Sequence, residues 1–317
     1  MDVKGFSTLP GDVLIAIEEG GAQHGDILGR PGAERLQSAA AALFAGGPPR
    51  LDTVTVAIHG REVEEIGLAC GGQADILLQP VAAIPGELWD LLAARAPVAL
   101  LTRIEGPGAG PAALVVDRDG QAWGSLAGGD DRLVKEGVAA LAAGRSSTRR
   151  LEDAAGVVLL EAWVPAPRLV IAGGGDLVSA LAAQGALLGW DSQSTAAGSL
   201  DELFDWAGAT AALIVLSHDP HIDTPALAAG LARGVPYVGA LGSRATQSRR
   251  LERLAAAGVE PAALDRIHRP IGLDLGGRSA PEVALAIAAE ILACHCGRDA
   301  RPLRDATGPI NERPSAS

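Results

Sequence analysis

Two glycines, Gly173 and Gly175, follow a short apolar run and precede apolar residues at helical spacing. This order predicts a strand, a tight turn and a helix, which together open a doubly wound sheet. The turn lets a phosphate approach the backbone, where the first amides of the helix, from Asp176, can receive an anion. Val178 stands where the dinucleotide fingerprint has its third glycine. The pattern therefore fits either a phosphate site or a structural turn that holds no ligand.

Four metal-competent side chains lie within six residues in the stretch SHDPHID, which contains His218, Asp219, His221 and Asp223. Their spacing matches no standard zinc pattern, and Asp223 is equally well explained as the cap of a helix. We therefore predict no metal site, and we count His218 and Asp219 among the ligand-binding residues.

Two later stretches also place polar residues beside glycine. Gly242 precedes Ser243 and Arg244, which we expect at a helix N-terminus, where Arg244 can donate a charge-assisted hydrogen bond to a phosphate. A structural turn is the alternative there. Asp274 lies in the glycine-rich loop IHRPIGLDLGG, and loops of this kind often carry function. The alternative for Asp274 is a carboxylate that satisfies the backbone of its own loop.

Cys70 is followed by Gly71 and Gly72. A lone cysteine is commonly a small buried apolar residue. The two glycines favour a second interpretation, because they expose the thiol and let a bulky ligand approach it. Cys294 and Cys296 flank His295 near the C-terminus, and a helix cannot place all three of these side chains on one face.

From residue 167 onward, strand and helix patterns alternate, which predicts a parallel sheet with helices on both faces. We expect strands at 169–172, 192–196, 211–217 and 237–241, and helices at 176–188, 200–207, 223–233 and 244–257. Ligands should meet the loops after the first, third and fourth strands, at the carboxyl edge of the sheet. We take the first and fourth strands to be neighbours, so that Gly173, Gly175, Ser243 and Arg244 line one anion pocket.

The chain therefore divides into an N-terminal mixed α/β domain of short strands, at 1–165, and a Rossmann-like domain at 166–298. The prolines of VPAPR form the linker between them. A polar tail, at 299–317, is expected to be disordered. The fold class is α/β.

Composition limits the choice of partners. The 317 residues carry a formal net charge of -12, and polyanionic nucleic acids and membrane surfaces would be repelled. The N-terminus has no basic region and no long apolar run for export, and three cysteines fit a reducing compartment. We expect a cytoplasmic protein that binds neither nucleic acid nor membrane.

Several motifs resemble, in order and spacing, the C-terminal domain of the xanthine dehydrogenase accessory factor family (XdhC/CoxI). They read LVIAGGGDLVSAL, LIVLSHDPHID, YVGALGSR and RIHRPIGLDLGGRSAPEVALAIAAEILA, and LACGGQADILLQP is similar to a segment of the family's first half. The resemblance implies a maturation factor, not a hydroxylase. Such a factor binds molybdenum cofactor, in mononucleotide or dinucleotide form, and helps its sulfuration or its insertion into a xanthine or carbon monoxide dehydrogenase.

The same resemblance implies the partners and the thiol's role. The partners would be a molybdenum hydroxylase subunit, a cysteine desulfurase and a second copy of the chain. Cys70, with Gly71 and Gly72, would contact the cofactor's molybdenum or its sulfur ligand.

Two departures from the family pattern keep alternatives open. The family's N-terminal Gly-Ser-Ser-Pro-Arg turn is missing, which would suit a degenerate member that only scaffolds partners. Ala196 stands where family members have an acidic residue at the end of the second Rossmann strand. A carboxylate there would bind a ribose hydroxyl, so its absence argues against NAD(P) and against the alternative of a nucleotide-dependent oxidoreductase.

Overall fold

The computed structural model describes residues 3–4, 14–25, 29–45, 48–58, 72–126, 129–153, 155–195 and 198–305. They form two compact units. One contains the residues up to Leu92 together with Pro97–Val164, and the other contains the residues from Pro165 together with Ala93–Ala96. The sequence pattern did not indicate that Ala93–Ala96 belongs with the second unit.

In its described residues, the first unit is a mixed α/β structure with three sheets. Two of the sheets are small and antiparallel, with the orders β1-β5-β4 and β2-β3. Their strands are β1 (Val3–Lys4), β2 (Ala16–Ile17), β3 (Gln23–His24), β4 (Asp52–Ile58) and β5 (Gly72–Leu78). Helix α1 (Gly29–Phe44) packs on β4.

The third sheet of this unit has five antiparallel strands in the order β8-β7-β6-β10-β9. They are β6 (Val98–Glu105), β7 (Ala113–Asp117), β8 (Ala122–Gly124), β9 (Ser147–Asp153) and β10 (Gly156–Trp163). Helix α3 (Asp130–Ala142) covers one face, over a core that includes Leu101, Leu133 and Leu160. Helix α2 (Glu87–Ala93) contributes Leu88 to a second cluster, with Val98 and Val115.

The second unit has a five-stranded parallel sheet in the order β12-β11-β13-β14-β15. The strands are β11 (Arg168–Ala172), β12 (Asp191–Ser194), β13 (Ala211–Val215), β14 (Tyr237–Ala240) and β15 (Ile267–His268). The helices are α4 (Asp176–Leu187), α5 (Leu200–Ala207), α6 (Pro220–Ala232), α7 (Arg244–Ala256), α8 (Pro261–Leu264) and α9 (Ala280–His295). The α/β prediction for this region is confirmed.

Alternation along the central strands supplies both faces of this sheet, because successive strand residues point to opposite sides. Val170 and Ala172 join one apolar cluster, with residues of α5, α6 and α7. Leu169 and Ile171 join the other, with residues of α4 and α9. The sheet is therefore buried on both faces, as parallel sheets are.

The strand order corrects one expectation. The first and fourth strands of the parallel sheet, β11 and β14, are not neighbours, because β13 pairs with both of them. The loop after β13 thus lies between the loops that were expected to adjoin.

No helix within the described residues is long and apolar enough to cross a membrane.

Candidate functional site

Backbone hydrogen bonds extend the parallel sheet beyond its strands at the carboxyl edge. They run from the N–H of Thr195 to the Ile171 carbonyl (3.0 Å), from Leu216 to Ala172 (2.8 Å), from Leu241 to Val215 (2.8 Å) and from Ile271 to Ala240 (3.1 Å). The loops that leave four of the strands are therefore held side by side, in the order of the sheet. In doubly wound folds this edge is where ligands bind.

The glycine turn after β11 is built as the sequence predicts. Gly173 has φ +142° and Gly175 has φ +88°, which side chains rarely adopt. A Cβ on Gly173 would lie 3.1 Å from the amide nitrogen of Ser217, so the turn packs directly on the next loop. Gly175 is the N-cap of α4, and no side chain caps it. The first amides of α4, beginning at Asp176, thus have no protein side chain as their cap.

The loop after β13 differs from expectation in one respect. Helix α6 begins at Pro220, three residues before the predicted start, because Asp219 and not Asp223 is its cap. The Asp219 carboxylate accepts a hydrogen bond from the His221 amide (2.9 Å), and the Asp219 amide donates to the Ser217 hydroxyl (3.0 Å). His218 is exposed. Among the described residues, no three His, Cys, Asp or Glu side chains are grouped so that they could hold a metal ion.

Asp223 is instead fully buried in an ion pair with Arg250 of α7. The Arg250 Nε and Nη2 atoms lie 2.9 and 2.8 Å from Asp223 Oδ2. The same guanidinium donates to two backbone carbonyls, through Nη1 to Leu241 (3.0 Å) and through Nη2 to Ser217 (3.2 Å). It also donates through Nη1 to Gln247 Oε1 (2.8 Å). Arg250 thus contacts the loops after both β13 and β14.

Sequence reasoning missed Arg250, although a signal was present. Gln247, Arg250 and Leu254 are all buried and lie three and four residues apart, which is the spacing of one helix face. The side-chain Nε2 of Gln247 donates to the Ala240 carbonyl (2.9 Å), again at the end of β14. A polar pair in the buried stripe of a helix indicates partners inside the fold.

The loop after β14 ends at the N-terminus of α7. Gly242 has φ +134°, and Ser243 is the N-cap, whose hydroxyl accepts from the Thr246 amide (3.2 Å). The serine therefore has the structural role that one interpretation predicts, and it lies at a helix N-terminus, as the phosphate-site interpretation requires. Arg244 is the first residue of the helix and is exposed.

Asp274 lies in the exposed loop after β15, and a different carboxylate fixes that loop. Glu290 Oε2 accepts from the Gly272 amide (2.7 Å) and from the Tyr237 hydroxyl (2.6 Å). Glu290 Oε1 lies 3.2 Å from His268 Nδ1, and the His268 ring stacks on Tyr237 with centroids 4.5 Å apart. Sequence reasoning gave Glu290 no role.

Burial and hydrogen bonding shift the pKa values of three groups in this cluster. Burial alone would raise the pKa of Glu290, but hydrogen bonds from His268, Tyr237 and the Gly272 amide outweigh it and lower the pKa. Burial, and then the bond to Glu290, raises the pKa of the Tyr237 hydroxyl. Burial and Glu290 also raise the pKa of Cys294. The lowered pKa favours the ionised form of Glu290, whose oxygens lie within hydrogen-bond distance of all three groups.

Three residues singled out from the sequence lie outside the described part of the chain. They are Cys70, Gly71 and Ala196. Gly72 is described and begins β5 in the first unit. The remaining candidates, Gly173, Gly175, Asp176, His218, Asp219, Gly242, Ser243, Arg244 and Asp274, all follow strands of the second unit at their carboxyl ends.

A five-stranded parallel sheet with helices on both faces and a glycine turn at its carboxyl edge defines a Rossmann-like domain. Residues 169–291 match the family model of the XdhC Rossmann domain.

One curated relative and one solved structure give further comparisons. The chain is 32% identical over 135 residues to the molybdenum cofactor insertion chaperone PaoD of Escherichia coli (strain K12). That alignment covers 40% of this chain and spans 40% of the length of the relative. A xanthine dehydrogenase crystal structure from Bacillus halodurans is 18% identical, with a TM-score of 0.46, over 96% of this chain and 93% of that chain.

Proposed function

We propose that this chain is an accessory protein that binds molybdenum cofactor and hands it to a molybdenum enzyme during maturation. The observation that carries the proposal is the match of 169–291 to the XdhC Rossmann domain, in a unit whose carboxyl edge presents an uncapped glycine turn. The relative that is 32% identical over 135 residues is a molybdenum cofactor insertion chaperone.

The chemistry of the edge suits such a cofactor. A pterin phosphate is an anion, and the first amides of α4, which Gly175 leaves without a side-chain cap, and the exposed guanidinium of Arg244 are anion donors. The pterin ring presents N–H donors along one edge, and the exposed carboxylates of Asp176, Asp219 and Asp274 are acceptors. The site therefore offers partners of both kinds, which a pure phosphate site would not need.

The finer part of the proposal concerns the client and the thiol. We propose a cytoplasmic factor that serves a hydroxylase of the xanthine or carbon monoxide dehydrogenase type, and that protects or completes the sulfurated form of the cofactor. Cys70 would contact the molybdenum or its sulfur, because thiolate is a soft ligand that suits this metal and transferred sulfur. A cysteine desulfurase and a second copy of the chain are further proposed partners.

The proposal is tested by the cargo that the protein carries. The full chain, purified from a molybdate-replete host, should hold molybdenum and pterin in equal amounts and should activate a cofactor-free hydroxylase. Cys70→Ser should stay folded, retain less molybdenum and activate the hydroxylase poorly, whereas the matched Cys294→Ser should change none of these. Protein that carries neither molybdenum nor pterin, and binds neither when cofactor is supplied, contradicts the proposal.

Arg244 offers a second test of the same site. Replacing Arg244 with Ala removes a charge-assisted donor, and we expect the affinity for the cofactor to fall by about 1.5–3 kcal/mol. The matched variant is Arg249→Ala, an exposed arginine on the same helix, five residues beyond the N-terminus. Equal affinities for the Arg244 variant and the parent in a titration would remove Arg244 from the site.

The glycine turn favours a second candidate, a nucleotide-dependent oxidoreductase. Gly173 and Gly175 have the positive φ angles of such a turn, and α4 follows directly. The same protein should therefore be titrated with NADH and NADPH. Saturable binding in the micromolar range, with no retained molybdenum, would favour the oxidoreductase over the accessory factor.

A further inference from the structure

The carboxyl edge contains a buried ion pair that has no part in the proposed function as stated above. Arg250 is 1% exposed and Asp223 is fully buried, and both lie on helices, not on the ligand loops. Arg250 reaches the Ser217 carbonyl with Nη2 and the Leu241 carbonyl with Nη1. The two carbonyls immediately precede His218 in one loop and Gly242 in the other.

The shape of the guanidinium makes this arrangement restrictive. Its donors form a rigid planar fork, so two carbonyls bound through different nitrogens are held at a fixed separation and angle. Asp223 orients the fork, with Oδ2 at 2.9 Å from Nε and 2.8 Å from Nη2. Asp223 Oδ1 accepts from the Thr224 hydroxyl (3.2 Å), which fixes the carboxylate in turn.

Stability alone does not account for this pair. Taking two charges out of water costs about as much as their attraction returns, and well-packed apolar residues often replace a buried ion pair with no loss of stability. What apolar residues cannot replace is a donor to the Ser217 and Leu241 carbonyls. What Arg250 adds, and an apolar residue could not, is therefore to hold the two loops in position through these carbonyls.

We propose that Arg250 is a positioning residue that fastens the loop after β13 to the loop after β14, so that His218, Asp219, Ser243 and Arg244 face the ligand as one preorganised unit. The inference rests on the proposed function, because it takes these loops to be the ligand-binding loops. A preorganised site loses less conformational freedom on binding than a mobile one and so binds more tightly.

The test separates the fastening of the loops from stability. In Asp223→Leu/Arg250→Met, apolar residues replace both charges, and we expect an unfolding midpoint above that of Asp223→Ala, which leaves the guanidinium buried and unpaired. Hydrogen exchange, read by mass spectrometry on the full chain, should become at least tenfold faster in peptides that cover 216–222 and 241–247. A peptide that covers 200–207, in α5, should not change.

A conservative variant and a control complete the design. Arg250→Lys keeps the charge beside Asp223 but has a single nitrogen, which cannot hold both carbonyls in the geometry of the fork, so both loops should again exchange faster. Arg233→Met removes an exposed arginine that pairs with two aspartates elsewhere in the same unit, and it should leave both loops unchanged. Unchanged exchange in either loop of a folded Arg250 variant would overturn the proposal.

Cofactor binding is read separately. The dissociation constant for molybdenum cofactor released from a molybdoenzyme should rise at least tenfold in the double variant and in Arg250→Lys. If the loops exchange faster but affinity is unchanged, Arg250 fastens the loops without serving the site, and the inference fails. If the parent itself does not bind the cofactor, the proposed function fails, and the exchange rates still decide whether Arg250 fastens the loops.

Discussion

Two arginine-aspartate contacts, one at each edge of the parallel sheet, differ in burial and in what else they touch. At the carboxyl edge, Arg250 is buried, pairs with the buried Asp223 and donates to backbone carbonyls. At the amino edge, Arg233 follows α6 and pairs with Asp201 (2.7 Å) and Asp205 (3.2 Å) of α5. There the arginine side chain is 40% exposed and its partners are 76% and 74% exposed. Both are arginine-aspartate contacts between helices, but only one of them touches loops of the ligand-binding edge.

The difference indicates what each contact does. An exposed ion pair is screened by water and contributes little to stability. Removing one partner of a buried ion pair lowers the free energy of unfolding strongly, although the intact pair adds little net stability. We therefore look for its role in the geometry that it imposes. The carboxyl edge carries the candidate site, and its loops need fixed positions. The following predictions test this contrast, from the largest expected effect to the smallest.

The largest effect is expected when one partner of the buried pair is removed. Asp223→Ala leaves the Arg250 guanidinium buried without its counter-charge, and we expect a loss of about 3–5 kcal/mol in the free energy of unfolding. Urea denaturation of the full chain measures this loss. The matched variant is Asp201→Ala at the amino edge, which should unfold at the urea concentration of the parent. Equal effects of the two variants would mean that burial does not distinguish the edges.

The sequence predicted the elements of this unit well for a local reason. Strands β11 and β13 are short apolar runs that glycine or polar residues terminate, and these signals do not depend on the rest of the fold. The start of α9 also has a local signal, because Ser279 and Glu282 have the spacing of a capping box and the Glu282 carboxylate accepts from the Ser279 amide (2.9 Å). The predicted α/β class and the loops at the carboxyl edge follow from such local patterns.

The predicted start of α6 was wrong because the sequence contains two local signals for a helix start. Asp219-Pro220 and Asp223-Thr224-Pro225 both place an acidic residue before a proline, and both suit the start of a helix. The structure uses the first, and Pro225 lies inside the helix. Asp223 is then free to face Arg250, 27 residues later in the chain. No local pattern encodes a partner at that separation.

Three further features were missed for similar reasons. The polar strand β9 (STRRLED) lies at the edge of its sheet and lacks a buried apolar run, so the β9-β10 hairpin was not predicted. The bond from Gly272 to Glu290 joins a loop to a helix 18 residues away. The strand order, which separates β11 from β14, also depends on packing that local spacing does not show.

A moderate effect is expected in the glycine turn. Gly173→Ala requires φ +142° and puts a Cβ 3.1 Å from the Ser217 amide nitrogen, so both backbone strain and a clash oppose it. We expect a loss of about 1–3 kcal/mol in the free energy of unfolding, together with weaker cofactor binding. Gly174→Ala is the control, because nothing lies within 4 Å of its added Cβ. A Gly174 variant as unstable as the Gly173 variant would show that the strain lies elsewhere.

A smaller, pH-dependent effect is expected at Glu290. Its pKa is lowered in the folded state, so its ionised form contributes stability above the unfolded value of about 4.3, and this contribution is lost as the pH falls through the folded pKa. Glu290→Gln should therefore cost about 1 kcal/mol at neutral pH and nothing at a pH below the folded pKa. Thermal unfolding of both proteins between pH 3 and pH 7 measures the difference. A gap of constant size across that range would mean that the charge of Glu290 does not matter.

The smallest effect is expected at Arg233, and it tests the amino edge directly. Arg233→Met removes both ion pairs, with Asp201 and Asp205, while the methionine can keep apolar contact near Phe204, whose ring centroid lies 5.6 Å from the Arg233 guanidinium carbon. Because all three charged groups are exposed, water replaces the lost partners, and the urea midpoint should stay within experimental error of the parent. Raising the salt concentration to 1 M, where charges are screened beyond about 3 Å, should change the urea midpoints of the parent and of this variant by the same amount. A clear drop in the midpoint, reversed when Asp201 and Asp205 are also neutralised, would show that the exposed network stabilises the domain and that the two edges differ less than their burial indicates.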